Sequence, residues 1–497
     1  MRRAIIALLC LLLMPLGIKP QIKRLAKDVQ YGASLRGTFG DGDKAPFWFT
    51  NNRYGLGSLK HNTILARTYI KRNAEADSSR IWRIGYGVDL ASGYGNQCKF
   101  NVQQAFVDVQ WKMLRLSVGQ KERASELKNE ELSTGGMTLG INARPVPQVR
   151  LELPDFWNVP GTKGWFAVKA HIAYGRYMDN KWQKDFARTR GLYTQDSYFH
   201  SKALLMKIGN EKKFPLTLTW GLEMACQFGG KGYNVIGYQK EKLEQGIKLG
   251  GNVLKALLPS GGDVNDDAFS NAAGNHVGSW HIRLDWKGKG WSAGAYVDHF
   301  FEDHSQLGMQ YGFWKDMLLG VEVNLPKNRY VSNVVYEHLG TMNQSGPIYH
   351  DATPENPQQI SAKDSYYSHH VYGSWQHAGF VMGNPLIPSP LYNGYLGVNG
   401  TLYNYFNRVN AHHVGLKGNP AGWLAWRVLY TYEKNLGSYD LPVLNPLKGH
   451  FLLLEATYKP TWLEGLSIAA AYGHNNGNLL GKSNGAMLTV SWDGWIK

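Results

Sequence analysis

The chain has 497 residues, 43% of them hydrophobic and 13% aromatic, with a formal net charge of +16. That is enough apolar material for more than one small core, on a basic molecule that attracts anions. Three cysteines cannot staple a fold of this size, and no stretch reaches the roughly 18–20 apolar residues of a spanning helix, so a disulfide scaffold and a helical membrane protein are both excluded.

The first element is a leader. Arg2-Arg3, the apolar run Ala4 to Leu13 and the breaker Met14-Pro15-Leu16-Gly17 have the layout of a signal peptide, placed at residues 1–17 although no A-x-A triplet marks the cut. Cys10 sits behind Leu8-Leu9, without the small residue a lipid-attachment site needs, so only Cys98 and Cys226 stay with the exported chain. For an exported basic protein, acidic polysaccharide and lipid phosphate outrank nucleic acid as partners.

From Phe100 the pattern has period two. Ala105, Val107, Val109 and Trp111 alternate with Gln104, Phe106, Asp108 and Gln110; beyond Lys112, Leu114, Leu116 and Val118 alternate with Arg115, Ser117 and Lys121. Val149, Leu151 and Leu153 alternate with Arg150 and Glu152, and Phe166, Val168, Ala170, Ile172 and Tyr174 with Trp165, Lys169 and His171. Phe214 to Phe228 continues the alternation over a longer run, from Leu216 to Phe228 against Thr217, Thr219, Glu223 and Gln227. Strands this long, greasy on one face and polar on the other, suit the wall of a closed barrel in lipid better than a soluble sandwich. Closure pairs every backbone N–H and C=O without leaving an edge.

One segment breaks the pattern. Leu243, Ile247, Leu254, Leu257 and Leu258 have helical spacing and Pro259-Ser-Gly-Gly stops it, predicting a helical insert near 238–259. The stretch 379–407, rich in Gly, Asn and Pro, is expected to hide at least one strand.

Connection lengths alternate as well. Short turns at Lys112, 209–213, 287–290, 326–328, 418–421 and 460–465 alternate with long segments at 122–147, 176–199, 229–278, 301–314, 338–369, 433–448 and 474–484. Short periplasmic turns and long outer loops are the habit of outer-membrane barrels. The expectation is an all-β, transmembrane antiparallel barrel of about 18 strands over residues 18–497, plugged or capped by a few short helices, with its last strand Gly485 to Trp492 ending in the periplasm.

Polar clusters fall where this count places outer loops and strand tops. They give the candidate carbohydrate-binding residues Asn142, Arg144, Trp182, His200, Lys202, Asn275, His276, Glu302, Asp303, His304, Gln344, His369 and Trp375. Sugars need planar hydrogen-bonding groups and aromatic faces, and a basic concavity would favour an acidic glycan. For any one aromatic residue the competing explanation is an interfacial girdle. Asp303-His304-Ser305 does not make a hydrolase triad, whose roles are spatial. His369-His370 and His412-His413 lack zinc spacing, and Gly288-Lys-Gly290 precedes no helix, so no metal or phosphate cofactor is implied. Glu223, Lys169, Arg150, Arg115 and Asp108 read as luminal ion-pair partners.

The strings "LSTGGMTLGINARPVPQVRLELP", "GWFAVKAHIAYG", "YFHSKALLMKIG", "AGNHVGSW", "HFFEDHSQLG", "NQSGPIYH" and "HHVGLKG", in this order along nearly all of the exported chain, resemble the capsule-assembly Wzi family in its Bacteroidetes-type form. The resemblance implies a barrel of about eighteen strands with a helical bundle at its periplasmic end. It implies a lectin, not an enzyme, that helps tether exported capsular polysaccharide at the cell surface; the capsule export machinery is a further candidate partner. The competing functions are a porin for small solutes or oligosaccharides and a membrane hydrolase using Ser305.

Overall fold

The structure, a computed structural model, describes residues 25–496 except 78, 97–98, 237–241, 244, 250–252, 254, 258–273, 303–306, 308–313, 327, 329 and 345–364. The expected leader at 1–17 and the candidates Asp303 and His304 lie outside the described residues.

Eighteen strands form one sheet, each antiparallel to its neighbours in sequence. They are β1 (Val29–Gly42), β2 (Thr63–Arg72), β3 (Trp82–Tyr94), β4 (Phe100–Trp111), β5 (Leu114–Gln120), β6 (Gln148–Asn158), β7 (Phe166–Arg176), β8 (Tyr198–Ile208), β9 (Leu216–Phe228), β10 (Asn275–Lys287), β11 (Ser292–Glu302), β12 (Met317–Asn324), β13 (Asn333–Gly340), β14 (Val409–Ala421), β15 (Leu424–Gly437), β16 (Pro442–Tyr458), β17 (Leu466–Gly477) and β18 (Ser483–Ile496). Strand β1 pairs with both β2 and β18, in the second case from Val29↔Ile496 to Gly42↔Ser483, and the sheet closes. Among the described residues no helix is long and apolar enough to cross a membrane. The barrel crosses with its strands.

Alternation decides which side chain meets lipid. On β6, Val149 and Leu151 are 50% and 41% exposed while Arg150 and Glu152 between them are 7% and 8%. Two bulges shift the phase. Gln103 is the extra residue opposite Asp89 and Leu90, so Gln103 and Gln104 are both buried, and a second irregularity between Leu153 and Trp157 lets β6 carry Pro154 and run on to Asn158. The expected turn at 418–421 is instead a bulged end of β14, and the chain reverses at residues 422–423.

The expected ion pairs line the lumen. Glu152 accepts from Arg150 at 2.5 Å and from Arg115 at 2.8 Å, Lys121 meets Asp108 at 2.5 Å, and Lys169 meets Glu126 at 2.6 Å. His281 bridges Asp298 at 2.7 Å and lies 3.6 Å from Glu223. Several of these partners, including Lys121, Glu126 and Lys128, come from the 121–147 connection, which drops into the barrel instead of standing above it.

Three long connections, 43–62, 121–147 and the described part of 341–408, fill the lumen. Every residue from 371 to 393 is buried. Trp375 donates its indole N–H to the Thr138 carbonyl at 2.9 Å, Asn142 donates to Val381 O at 3.0 Å, and Asn384 donates to Thr134 Oγ1 at 2.9 Å. The two segments touch so closely at Gly383 that a Cβ there would lie 2.2 Å from the Met137 carbonyl oxygen. Phe47 stacks on Phe451 of the wall at 4.5 Å, so the 43–62 connection is fastened to the same core.

Three expectations are corrected. The stretch 379–407 contributes no wall strand; it is plug, with the pair Gln376–His377 and Phe380–Val381 at its start and a 3-10 turn at Pro390–Leu396. The insert near 238–259 is not a helix in its described residues: Lys242–Leu243 and Ile247–Lys248 are short strands, and only Lys255–Leu257 makes a 3-10 turn. It hangs from the long-connection end of the wall, between β9 and β10. The helices Phe47–Thr50 and Trp182–Phe186 both belong to long connections, and the described residues form no helical bundle at the end that carries the short turns.

Candidate functional site

The connection from β7 to β8 holds the helix Trp182–Phe186, which we label α1. Asp179 builds its entry: its carboxylate accepts the backbone N–H of Lys181 at 3.2 Å and of Gln183 at 3.4 Å, while Asn180 and Lys181 take left-handed backbone angles. Burial raises the Asp179 carboxyl above its ordinary value, and those N–H groups oppose the rise. Gln183 points inward and accepts from both the backbone N–H and the hydroxyl of Thr194, at 3.1 and 3.2 Å. One turn apart, Trp182 and Phe186 stack with centroids 4.7 Å apart and planes at 18°. They make a half-buried aromatic face on the end of the barrel that carries the long connections.

That face borders a cleft of about 390 Å³, lined also by Asp179, Asp185, Arg144, Gly55 and Ala378. Four connections converge there, those of β1–β2, β5–β6, β7–β8 and β13–β14. Gly55, at φ +71°, lies so close that a Cβ would sit 2.4 Å from Arg144 Cγ, so the arginine stem packs on bare backbone. From below, His377 Nδ1 bonds to the Arg144 carbonyl oxygen at 2.9 Å. Burial, helped by the Arg144 charge, lowers the His377 ring to about 4, so it is neutral near pH 7 and Nδ1 is the donor. The cleft thus combines an aromatic face, two carboxylates and a guanidinium.

The candidates drawn from the sequence do not form a single concavity. Arg144 and Trp182 share the cleft. Asn142 and Trp375 are buried in the plug contacts described above, and Gln344 donates to Asn407 O at 2.9 Å within the same connection. Glu302 accepts the Tyr367 N–H, and Asn275 donates to Gln227 at 2.9 Å inside the wall. His369 is buried and its Nδ1 accepts from the backbone of Val371 at 3.1 Å.

His200, Lys202 and His276 follow the outward parity of Leu204 and Leu284, so they project from the outer surface of the barrel near its long-connection end. Part of the β9–β10 connection covers that surface, with Ala256 packed on Cys226 and Phe228 and the Tyr174 hydroxyl donating to Val253 O at 3.1 Å. Among the described residues no group of three His, Cys, Asp or Glu side chains could hold a metal ion. His412 faces outward and donates to or accepts from the Tyr336 hydroxyl at 2.9 Å, whereas its neighbour His413 faces inward to Leu132 O at 2.8 Å.

Sequence reasoning missed Asp179, Asp185, Phe186, Gly55 and Ala378. The i, i+4 aromatic pair Trp182 and Phe186 was the available local signal.

No protein-family model matches the chain, and no curated protein matches it in sequence. Solved structures do match. Wzi, an Escherichia coli outer-membrane protein involved in group 1 capsule assembly and described as a carbohydrate-binding β-barrel, superposes at TM-score 0.55 with 12% identity, over 95% of this chain and 86% of that one. OccK5 of Pseudomonas aeruginosa and OccAB2 of Acinetobacter baumannii superpose at TM-score 0.45, with 9% and 10% identity, over 94% of this chain and 98% of each of theirs. The chain has the fold of the Wzi capsule-assembly barrel: eighteen antiparallel strands closed into a transmembrane wall of the outer-membrane type.

Proposed function

We propose that the chain is a non-catalytic member of the Wzi group, exported by its first seventeen residues to the outer membrane, where it binds capsular polysaccharide and helps attach the capsule to the cell surface. One observation carries this reading. The end of the barrel with the long connections presents a concave, aromatic-edged and polar cleft at Trp182, Phe186, Arg144, Asp179 and Asp185, above a lumen packed with buried residues. Short periplasmic turns and long outer loops put that cleft outside the cell. A stacked aromatic pair offers a flat apolar surface to the C–H face of a pyranose, and the carboxylates and guanidinium are acceptors and donors for its hydroxyls. The net charge of +16 favours an acidic polymer, and the exposed aliphatic belt takes outer-membrane lipid. The capsule export machinery is the natural neighbour for such a protein.

The packed lumen argues against the porin reading, since segment 371–393 occupies the path that a solute would take. The test is retention of capsular polysaccharide from the source cell by the detergent-solubilised protein. Wild type is expected to retain it and Trp182→Ala to lose most of it. Equal retention by a porin of similar size would overturn the reading.

A further inference from the structure

Beyond α1, a second cavity of about 100 Å³ opens on the same end of the molecule, lined by Arg188, His370, Tyr403, Tyr405, Asn234 and Gly400 among others. The two cavities are neighbours along one short run of chain. Asp185 and Phe186 line the first and Arg188 lines the second, so at most about 11 Å of backbone separates them. The wall between them is thin. Arg188 N donates to Gly400 O at 2.9 Å, and a Cβ on Gly400 would lie 2.8 Å from Arg188 N and 3.1 Å from Phe186 O. Backbone meets backbone there, so the two cavities lie on either side of one hydrogen-bonded contact.

The two cavities differ in charge. The first has the carboxylates of Asp179 and Asp185 against the single guanidinium of Arg144. Among the described residues the second has no carboxylate in its lining; its ionisable groups are Arg188, His370 and two tyrosines. Arg188 is exposed and makes no ion pair among the described residues. The Tyr403 hydroxyl donates to His370 O at 3.4 Å, which fixes its ring beside that of Tyr405, with centroids 6.2 Å apart. The carboxylate whose charge reaches these tyrosines, Asp440, belongs to the β15–β16 connection and is not part of the lining.

We infer that the two cavities are consecutive subsites for one acidic oligosaccharide: a neutral sugar lies on the Trp182–Phe186 face, and the carboxylate of an adjoining acidic sugar enters the second cavity beside Arg188. This rests on the reading of the Trp182 cleft as a glycan site. A planar guanidinium matches a carboxylate through two parallel N–H donors, and the tyrosine rings and the Asn234 amide supply the remaining contacts of a sugar ring. The Asp179 and Asp185 carboxylates repel a uronate from the first subsite, so the charge pattern fixes the direction in which the chain lies as well as its composition.

The experiment measures binding of size-fractionated capsular oligosaccharide from the source cell, both native and after chemical reduction of its carboxylates to alcohols, to the full-length protein in detergent. The expected result is that reduction weakens binding at least tenfold, that Arg188→Gln weakens native ligand to the same level, and that Arg188→Gln no longer distinguishes the two ligands. Trp182→Ala is expected to weaken both ligands alike. Equal affinity of wild type for native and reduced ligand, or an Arg188→Gln variant that still distinguishes them, overturns the inference and leaves the Trp182 cleft standing. Failure of wild type to bind either ligand overturns both.

Discussion

His377 and Arg144 are joined by one hydrogen bond, from the imidazole Nδ1 to the carbonyl oxygen across 2.9 Å, and that bond fastens the buried plug to the floor of the cleft. Burial lowers the ring from 6.5 to about 4 and keeps it neutral, which leaves Nε2 free to accept the backbone N–H of Met178 at 3.4 Å, a bond that protonation removes. Protonation therefore favours the opened plug. The stabilisation is complete above pH 6.5 and is lost as pH falls toward 4, by at most about 3 kcal/mol. The protection of segment 371–393 against hydrogen exchange, corrected for the intrinsic exchange rate at each pH, is expected to be lower at pH 4.5 than at pH 7.5, and His377→Gln, whose amide can still donate, is expected to flatten that difference. An unchanged pH response in the variant would assign the effect to other groups.

The luminal pairs make a second prediction. Arg150 and Arg115 both pair with Glu152, at 2.5 and 2.8 Å. Glu152→Ala strips the Arg150 guanidinium of its carboxylate in a packed lumen, which costs about 3–5 kcal/mol, while Arg115 keeps Glu75 at 2.8 Å. Urea titration of the folded band on a semi-native gel measures it. A loss below about 1 kcal/mol, the scale of a solvent-exposed pair, would mean that water already screens the site.

On the other face of the same strand, Leu151→Arg puts a charge against acyl chains and is expected to cost about 2–4 kcal/mol, while Leu151→Val costs little. Unfolding from lipid vesicles separates the two. Similar stability for both variants would place Leu151 outside the hydrocarbon.

The wall was readable in the sequence because lipid imposes one simple rule on alternate residues. Val149, Leu151, Arg150 and Glu152 obey it, and the pairs formed by Asp108, Arg115, Lys169 and Glu223 follow from it. Bulges hid the exceptions at Gln103 and Leu153. The plug was not readable: from residue 371 to 393 each side chain is enclosed on all sides, so no period marks a buried face, and its Gly, Asn and Pro content imitates a loop or a strand. The segment near 238–259 misled for a related reason. Leu243 and Ile247 are spaced as a helix would space them, yet both lie in short strands, and Ile247 packs on the cluster of Val235, Leu249 and Tyr372. Of the site, Arg144 and Trp182 were visible as residue types in outer loops. Their convergence with Gly55 and Ala378 depends on four connections far apart in sequence, and nothing local encodes it.

A filled lumen also predicts electrical silence. In planar bilayers the wild-type barrel is expected to show no steady conductance, and replacing residues 371–393 by a short Gly/Ser linker is expected to open one. Steady conductance by the intact protein would show that the plug leaves a continuous path and would restore the porin reading.

The most direct test of the central claim is capsule attachment on living cells lacking this protein and carrying either the wild-type chain or the double variant Trp182→Ala, Phe186→Ala. Removing a central aromatic anchor costs about 2 kcal/mol or more, roughly a thirtyfold loss of affinity. The account predicts that the double variant reaches the membrane at the wild-type level while the cells shed capsular polysaccharide into the medium. Capsule held as firmly by the double variant as by wild type would contradict it.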